Sequence, residues 1–328
     1  MRRREILALF GGFTAGWPLS VGAEPAAIPL VGFLGSASPD KWSSRTRAFL
    51  AGLSEVGFVD GKNIRIEYRW AEDRNDRLAA LAADLVARKV DAIAVLGNTR
   101  SALAARDATA TIPIVFRVAA DPVELGLVAS LGQPGGNLTG VTTLGVEAGP
   151  KQVELMHELV PQSREFVLLI NPSNEALAKI QLRTIPAGAG ALGLTLHVFR
   201  ASADSDFEPV FAAISDRGSG GLVIGADTFF NSRNERLAEL ASRYNIPTIS
   251  PYREFVEAGG LMSYGGSIAE ASRQAGVYMG RVLKGEKSAM LPVQQVARVE
   301  FVLNIKTAQR LGLDVPATLL AQADEVVE

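Results

Sequence analysis

Apolar residues along this chain follow two alternating patterns. Short continuous apolar runs are separated by longer stretches in which apolar positions recur every three or four residues. Residues 28–34 form such a run, broken by Gly35-Ser36-Ala37-Ser38-Pro39, and predict a buried strand entering a loop. Residues 43–56 predict a helix stopped by Gly57. Ile64, Ile66, Tyr68 and Trp70 alternate over residues 63–70, the period of a strand. Over residues 76–89, Leu78, Leu81, Ala82, Leu85 and Val86 share one helical face with charges opposite. A strand at 92–96, a helix at 101–109 and a strand at 114–118 complete the series. This alternation predicts parallel sheet covered by helices on both faces.

The pattern restarts after Gly140. Helices are expected at 151–159, after residue 174, at 207–214 and at 234–244. Strands are expected at 166–170, 195–199, 222–225 and 248–250. The halves echo each other. Residues 90–99, a helix, then Ile112-Pro113 and a strand match residues 221–228, a helix, then Ile246-Pro247 and a strand. A strand at 259–266, a helix at 274–283, a strand at 301–304 and a helix at 306–311 follow, with too little apolar surface in the tail to stand alone. The fold class expected is α/β, two doubly wound lobes with a ligand cleft between them. Residues 28–141 and about 255–290 are assigned to the first lobe, and 142–254 and about 291–328 to the second.

Composition agrees with a large folded protein. The 328 residues are 48% hydrophobic and 21% charged, with a formal charge of −2, too little positive charge to track a nucleic-acid backbone. The chain has no cysteine and two histidines, His157 and His197. That removes thiol chemistry and leaves little for a metal cage or a Ser-His-Asp triad, so no catalytic group, metal or cofactor is expected. Arg2-Arg3-Arg4, an apolar stretch from residue 6 to 19 and small residues at Val21-Gly22-Ala23 read as a signal peptide of residues 1–23. Arg3-Arg4-Glu5-Ile6-Leu7 also resembles a twin-arginine signal, and the expected location is the periplasm.

Ligands of open α/β sheets sit beyond the carboxyl ends of the strands. The loops there supply the candidate ligand-binding residues Ser36, Ser38, Asn98, Thr99, Ala119, Ala120, Asn171, Asp227, Thr228, Tyr252 and Tyr264. They are rich in hydroxyls and amides, as a small polar ligand requires. Asp227 can accept an ammonium group or cap a helix. Ser36, Ser38 and Thr99, with the free N–H groups of a helix start, can hold a carboxylate. Phe116, Phe229, Tyr252 and Tyr264 can flank a ring, although Phe116 also reads as core. Asp121-Pro122 is an ordinary helix start whose carboxylate caps. Gly188-Ala189-Gly190-Ala191-Leu192-Gly193 spells a dinucleotide motif, but it follows a helix and precedes a strand, the wrong order for one.

Longer motifs carry a family resemblance. They are residues 57–64 with Glu67-Tyr68-Arg69, Asp121-Pro122-Val123 with Gly126-Leu127-Val128 and residues 134–140, and Gly259-Gly260-Leu261-Met262-Ser263-Tyr264-Gly265. Leu283-Lys284-Gly285, Leu291-Pro292-Val293 and Asn304 with Lys306-Thr307-Ala308 complete the set. The chain resembles ABC transporter substrate-binding proteins of the tryptophan/tyrosine-binding type. Ala120 stands where members often carry serine. The resemblance implies a type I periplasmic-binding-protein fold. It also implies a small-molecule ligand bound by hinge closure, in the aromatic or branched amino-acid class, and an ABC permease in the inner membrane as partner. A monomer without nucleic-acid partners is expected. Two other readings share the chain: a receptor presenting its ligand to a membrane sensor, and an exported enzyme on the same scaffold.

Overall fold

A computed structural model describes residues 28–96, 98–143, 145–296 and 299–328. The expected signal peptide lies outside them. Two sheets organise the chain. The first lobe contains β1 (Leu30–Gly35), α1 (Ser43–Glu55), β2 (Arg65–Trp70), α2 (Leu78–Ala87), β3 (Ala92–Leu96), α3 (Thr99–Ala108), β4 (Ile114–Val118) and β5 (Leu138–Thr142). The second contains α4 (Gly149–Leu159), β6 (Glu165–Ile170), α5 (Glu175–Ala191), β7 (Thr195–Arg200), α6 (Phe207–Arg217) and β8 (Leu222–Ile224). It continues through α7 (Thr228–Asn231), α8 (Asn234–Arg243), β9 (Thr248–Ser250), α9 (Glu254–Glu257) and β10 (Met262–Gly266). The chain then returns to the first lobe with α10 (Ile268–Leu283) and β11 (Gln294–Gln295). It ends in the second with β12 (Val299–Asn304), α11 (Ile305–Arg310), α12 (Ala317–Gln322) and β13 (Glu325–Val327).

The strand orders are β11-β5-β4-β3-β1-β2 and β13-β12-β10-β9-β8-β6-β7. All pairings are parallel except β10 with β12. The central strands are largely apolar because both of their faces are covered, with Arg117 interrupting β4. In the first lobe Ile93, Val95, Phe116 and Val118 face one core, while Ala94, Leu96 and Val115 face the other beneath α1 and α10. In the second lobe Phe166, Leu168 and Ile170 pack on one side, and Val167 and Leu169 on the other against Phe207 and Phe211.

Helices α1 and α10 approach so closely that only glycine fits where they cross. A Cβ on Gly276 would lie 2.0 Å from the Phe49 carbonyl oxygen, and one on Gly52 would lie 1.8 Å from that of Arg273. This crossing ties the returning segment to the first lobe. The return begins later than the expected residue 255, because β10 pairs with β9 and β12 in the second sheet. It ends later than residue 290, because β11 pairs with β5. Strands β5, β11 and β13 have no counterpart among the sequence expectations. They are two to five residues long, too short to display a period.

The chain therefore crosses between lobes after β5, after β10 and between β11 and β12. Backbone bonds brace the first crossing: Thr143 N–H donates to the Val118 carbonyl (3.0 Å) and Val146 N–H to that of Ala119 (3.1 Å). The lobes are in contact. Leu177 and Ile180 of α5 join Ala119, Ala120 and Val146 in one buried apolar cluster.

Candidate ligand-binding site

Each sheet reverses its winding at one strand. In the first, β1 lies between β2 and β3; in the second, β6 lies between β7 and β8. The loops leaving such a switch point diverge and open a crevice. Here the two crevices face each other. Between them is a cavity of about 30 Å³ lined by Ser36, Asp73, Asn75 and Asn98 from the first lobe, and by Asn171, Ser173, Asn174, Ser202, Asp227, Thr228 and Phe229 from the second.

Asp227 is the charged centre of this cavity. It is 5% exposed and follows β8. Its Oδ1 accepts from Asn171 Nδ2 (2.9 Å) and from the Phe229 N–H (2.8 Å), and its Oδ2 accepts from Asn174 Nδ2 (2.8 Å). The Phe229 bond makes Asp227 the N-cap of α7, so the capping role foreseen for it is present. A carboxylate oxygen has room for two donors. Oδ1 is full and Oδ2 can take one more. Burial pushes the carboxyl above its ordinary value, against the opposing pull of the amide donors and of Arg233. Beside it, the buried Asn174 Oδ1 has no hydrogen-bond partner. Asn171 Oδ1 is engaged by the N–H and hydroxyl of Ser173, which fixes the amide so that its Nδ2 points at Asp227.

On the first lobe, the buried Ser36 follows β1, and its carbonyl accepts from the Asp73 N–H at 2.7 Å. Asn98 caps α3 by accepting from the Arg100 N–H at 2.8 Å, and its Nδ2 reaches Asn75 Oδ1 at 3.4 Å. Contacts cross the mouth of the cavity. Arg233 Nη2 donates to Asp73 Oδ2 at 3.1 Å while its guanidinium lies 4.0 Å over the Phe229 ring. Arg100 donates to the Ser173 carbonyl, and elsewhere between the lobes Arg183 pairs with Glu124. The lobes are thus closed, and at this separation the cavity has room for about one water. Admitting a larger molecule requires them to part.

Of the residues expected at the site, Ser36, Asn98, Asn171, Asp227 and Thr228 line this cavity. The others do not. Ser38 is half-buried beyond it, on the outgoing part of the same loop. Thr99 is the first residue of α3 and buried, and the cap at that helix start is Asn98. Ala119 and Ala120 belong to the apolar cluster between the lobes. Their carbonyls are already bound, to Val146 N–H and the Thr142 hydroxyl. Tyr252 is buried at the seam, in electrostatic range of Arg117, Arg45, Asp227 and Glu254, which leave its hydroxyl raised chiefly by burial. Tyr264 points from β10 into the second-lobe core and meets Phe301 edge-on at 6.5 Å. It is not among the residues that line the cavity. Phe116 is core, fully buried.

Asp73, Asn75, Asn174 and Ser202 were not anticipated, while Ser173 belongs to the same strand-end loop as Asn171. Asp73 and Asn75 follow β2, and Ser202 follows β7, so the strand-end rule covers them once those strands are included. Backbone shape marks the first loop too: Glu72 and Asp73 have φ of 55° and 63°, left-handed values in residues other than glycine. The dinucleotide-like glycines close α5 and lead into β7, with Gly193 left-handed at φ 70°. Asp121 Oδ1 accepts from the Val123 N–H at 2.8 Å, capping a turn rather than a helix. His157 packs edge-on to Phe166, and His197 meets Glu165 and Arg217 at the surface.

The family model for ABC transporter substrate binding proteins matches residues 37–327. The chain belongs to this family. A tyrosine-binding protein of Clostridioides difficile (strain R20291) is 28% identical over 268 residues, covering 81% of this chain and 76% of that one. The ABC domain from Streptococcus pneumoniae, solved in complex with L-Trp, superposes with a TM-score of 0.81 at 25% identity. The match covers 91% of this chain and 99% of that one. A conserved domain protein from Vibrio cholerae gives 0.83 at 27% identity, with the same coverage. The fold of this family member is that of the type I periplasmic binding proteins. Among the described residues, no helix is long and apolar enough to cross a membrane.

Proposed function

We propose that this substrate-binding protein captures an aromatic amino acid between its lobes and presents it to an ABC permease in the inner membrane. The observation that carries the ligand class is Asp227. It is a buried carboxylate at the switch point of the second sheet, held by three donors and with one acceptor position left on Oδ2. An ammonium group is the natural occupant of that position, because a charge-assisted hydrogen bond offsets the desolvation of both ions. The tyrosine-binding relative and the L-Trp complex support an aromatic side chain. The site residues proposed are Ser36, Asn98, Asn171, Asp227 and Thr228, with Phe229 beside them.

Binding proceeds by hinge motion at the crossings, with the ligand shifting the population from open to closed. The ligand leaves unchanged: among the described residues His157 packs on Phe166, His197 meets Glu165 and Arg217 at the surface, and neither lines the cleft cavity. The basic and apolar leader directs export, with cleavage near Ala23, and the mature protein acts in the periplasm as a monomer. Calorimetry across the amino acids, small carboxylates and sugars tests the ligand class. Tight binding of L-tryptophan or L-tyrosine is expected; silence from both with heat from a sugar contradicts the assignment. N-terminal sequencing of the periplasmic fraction tests export, and recovery of the intact Met1 end from the cytoplasm argues against it.

A further inference from the structure

Two arginines of the first lobe are buried at the seam between the lobes, each with a guanidinium nitrogen that has no hydrogen-bond partner among the described residues. Arg117 sits on β4, one residue before its cleft end, and is 2% exposed. Its Nε has no partner. Arg45, in the first turn of α1, is 4% exposed, and its Nη1 has none either. The Arg45 guanidinium rests 5.1 Å from the centre of the Trp42 ring and borders a cavity of about 220 Å³ at the seam. Neither arginine forms an ion pair with a described residue. The groups in electrostatic range of Arg117 are Arg45, Tyr252 and Glu254, the last two from the second lobe. Burial, reinforced by the repulsion of Arg45, pushes Arg117 down to about 10, still well above neutral pH, and burial pushes Arg45 down against the pull of Glu254 and Tyr252.

A desolvated guanidinium nitrogen with no acceptor is rare in a folded protein, and two guanidiniums side by side also repel. The planar fork of N–H donors matches a carboxylate. Tyr252, buried at the same seam, is in electrostatic range of both arginines and of Asp227. We propose that Arg117 and Arg45 seat the carboxylate of the ligand, opposite the Asp227 pole that takes its ammonium. The assignment rests on the receptor reading above and replaces the hydroxyls and helix start as the anion seat.

The test is calorimetry of the wild type, Arg117→Met, Arg117→Lys and Arg45→Met with L-tryptophan, L-tyrosine, tryptamine, tyramine, succinate and glucose. Each variant is checked for a wild-type circular dichroism spectrum. Lys keeps the charge without the fork, so it guards against a misfolded Met variant. In the wild type the two amines should bind at least 100-fold more weakly than their amino acids. Each Met variant should lose at least 30-fold for the amino acids and nothing for the amines, and Lys should fall between. Amino-acid affinities within threefold of wild type in both Met variants overturn the seat and leave the receptor reading standing. So do amines that bind wild type as tightly as the amino acids. If succinate binds instead and is lost in Arg117→Met, the aromatic reading fails and the seat survives. Binding of glucose alone, or of no acid at all, overturns the seat.

Discussion

The two lobes are built alike and charged differently where they meet. At the switch point of the second, a buried carboxylate is surrounded by donors: two asparagine amides and a backbone N–H all converge on Asp227. At the seam of the first, two buried guanidiniums each keep a nitrogen with no partner among the described residues. Two lobes of like build thus meet the problem of burying an ion in opposite ways, the second at the loop after β8 and the first on β4 and the start of α1. One pole is supported by three donors within its own lobe. The other is left to be satisfied from across the cleft. A molecule with an ammonium and a carboxylate on one carbon completes both, so the closed form is favoured by the ligand rather than by the lobes alone.

That contrast can be broken from either side. Replacing Asp227 by Asn keeps the shape and removes the charge. The loss expected is about 1.5–3 kcal/mol of amino-acid affinity, the range for hydrogen bonds to charged groups. Thermal stability should hold or rise, because a buried charge is removed. An Asp227→Asn protein that binds amino acids like wild type, by calorimetry, would refute the negative pole. A second substitution separates scaffold from site. Gly276→Ala forces a methyl against the Phe49 carbonyl oxygen and should destabilise the first lobe by about 1–3 kcal/mol, the usual range for overpacking. Denaturant unfolding measures this, and ligand affinity well below the transition should stay within about threefold. A Gly276→Ala protein as stable as wild type would show that the helix crossing is looser than described.

Smaller effects belong to the rim. Arg233→Ala removes the ion pair to Asp73 across the mouth and the guanidinium over Phe229. The pair is partly exposed, so closure should weaken by about 1 kcal/mol or less, seen as faster ligand release in stopped-flow fluorescence. The smallest effect is that of pH. Burial raises the Asp227 carboxyl above its ordinary value, and an ammonium favours its ionised form. Affinity should therefore fall as pH drops through that raised range, and binding within it should release a proton. Calorimetry in two buffers of different ionisation enthalpy reads that proton; proton uptake would contradict the assignment.

The fold was legible where physics leaves a sequence little choice. The strands Ala92–Leu96, Ile114–Val118 and Thr248–Ser250 have the bounds expected from apolar runs between polar loops, because burial on both faces admits nothing else. Strand β10 misled because strand pairing, not local pattern, decides lobe membership. At the site, Ser36, Asn98, Asn171, Asp227 and Thr228 came from applying the strand-end rule to inner strands. Asp73, Asn75 and Ser202 were overlooked because the same rule was not carried to β2 and β7 at the sheet edges. The arginines had signals of their own. Arg117 interrupts the apolar strand Ile-Val-Phe-Arg-Val, where a cation is expected only with a partner. Arg45 falls in register with Phe49, Gly52 and Leu53 on the buried face of α1. Their unpartnered nitrogens could not be read from sequence, because these depend on which second-lobe groups the closed lobes bring to the seam.

The most direct test is a crystal structure of the protein grown with L-tryptophan. The ligand is predicted between the lobes, its ammonium within hydrogen-bonding distance of Asp227 Oδ2 and its carboxylate against Arg117. A ligand in the reverse orientation, or one bound in the outer groove bordered by Lys41, Arg236 and Glu257, would contradict it.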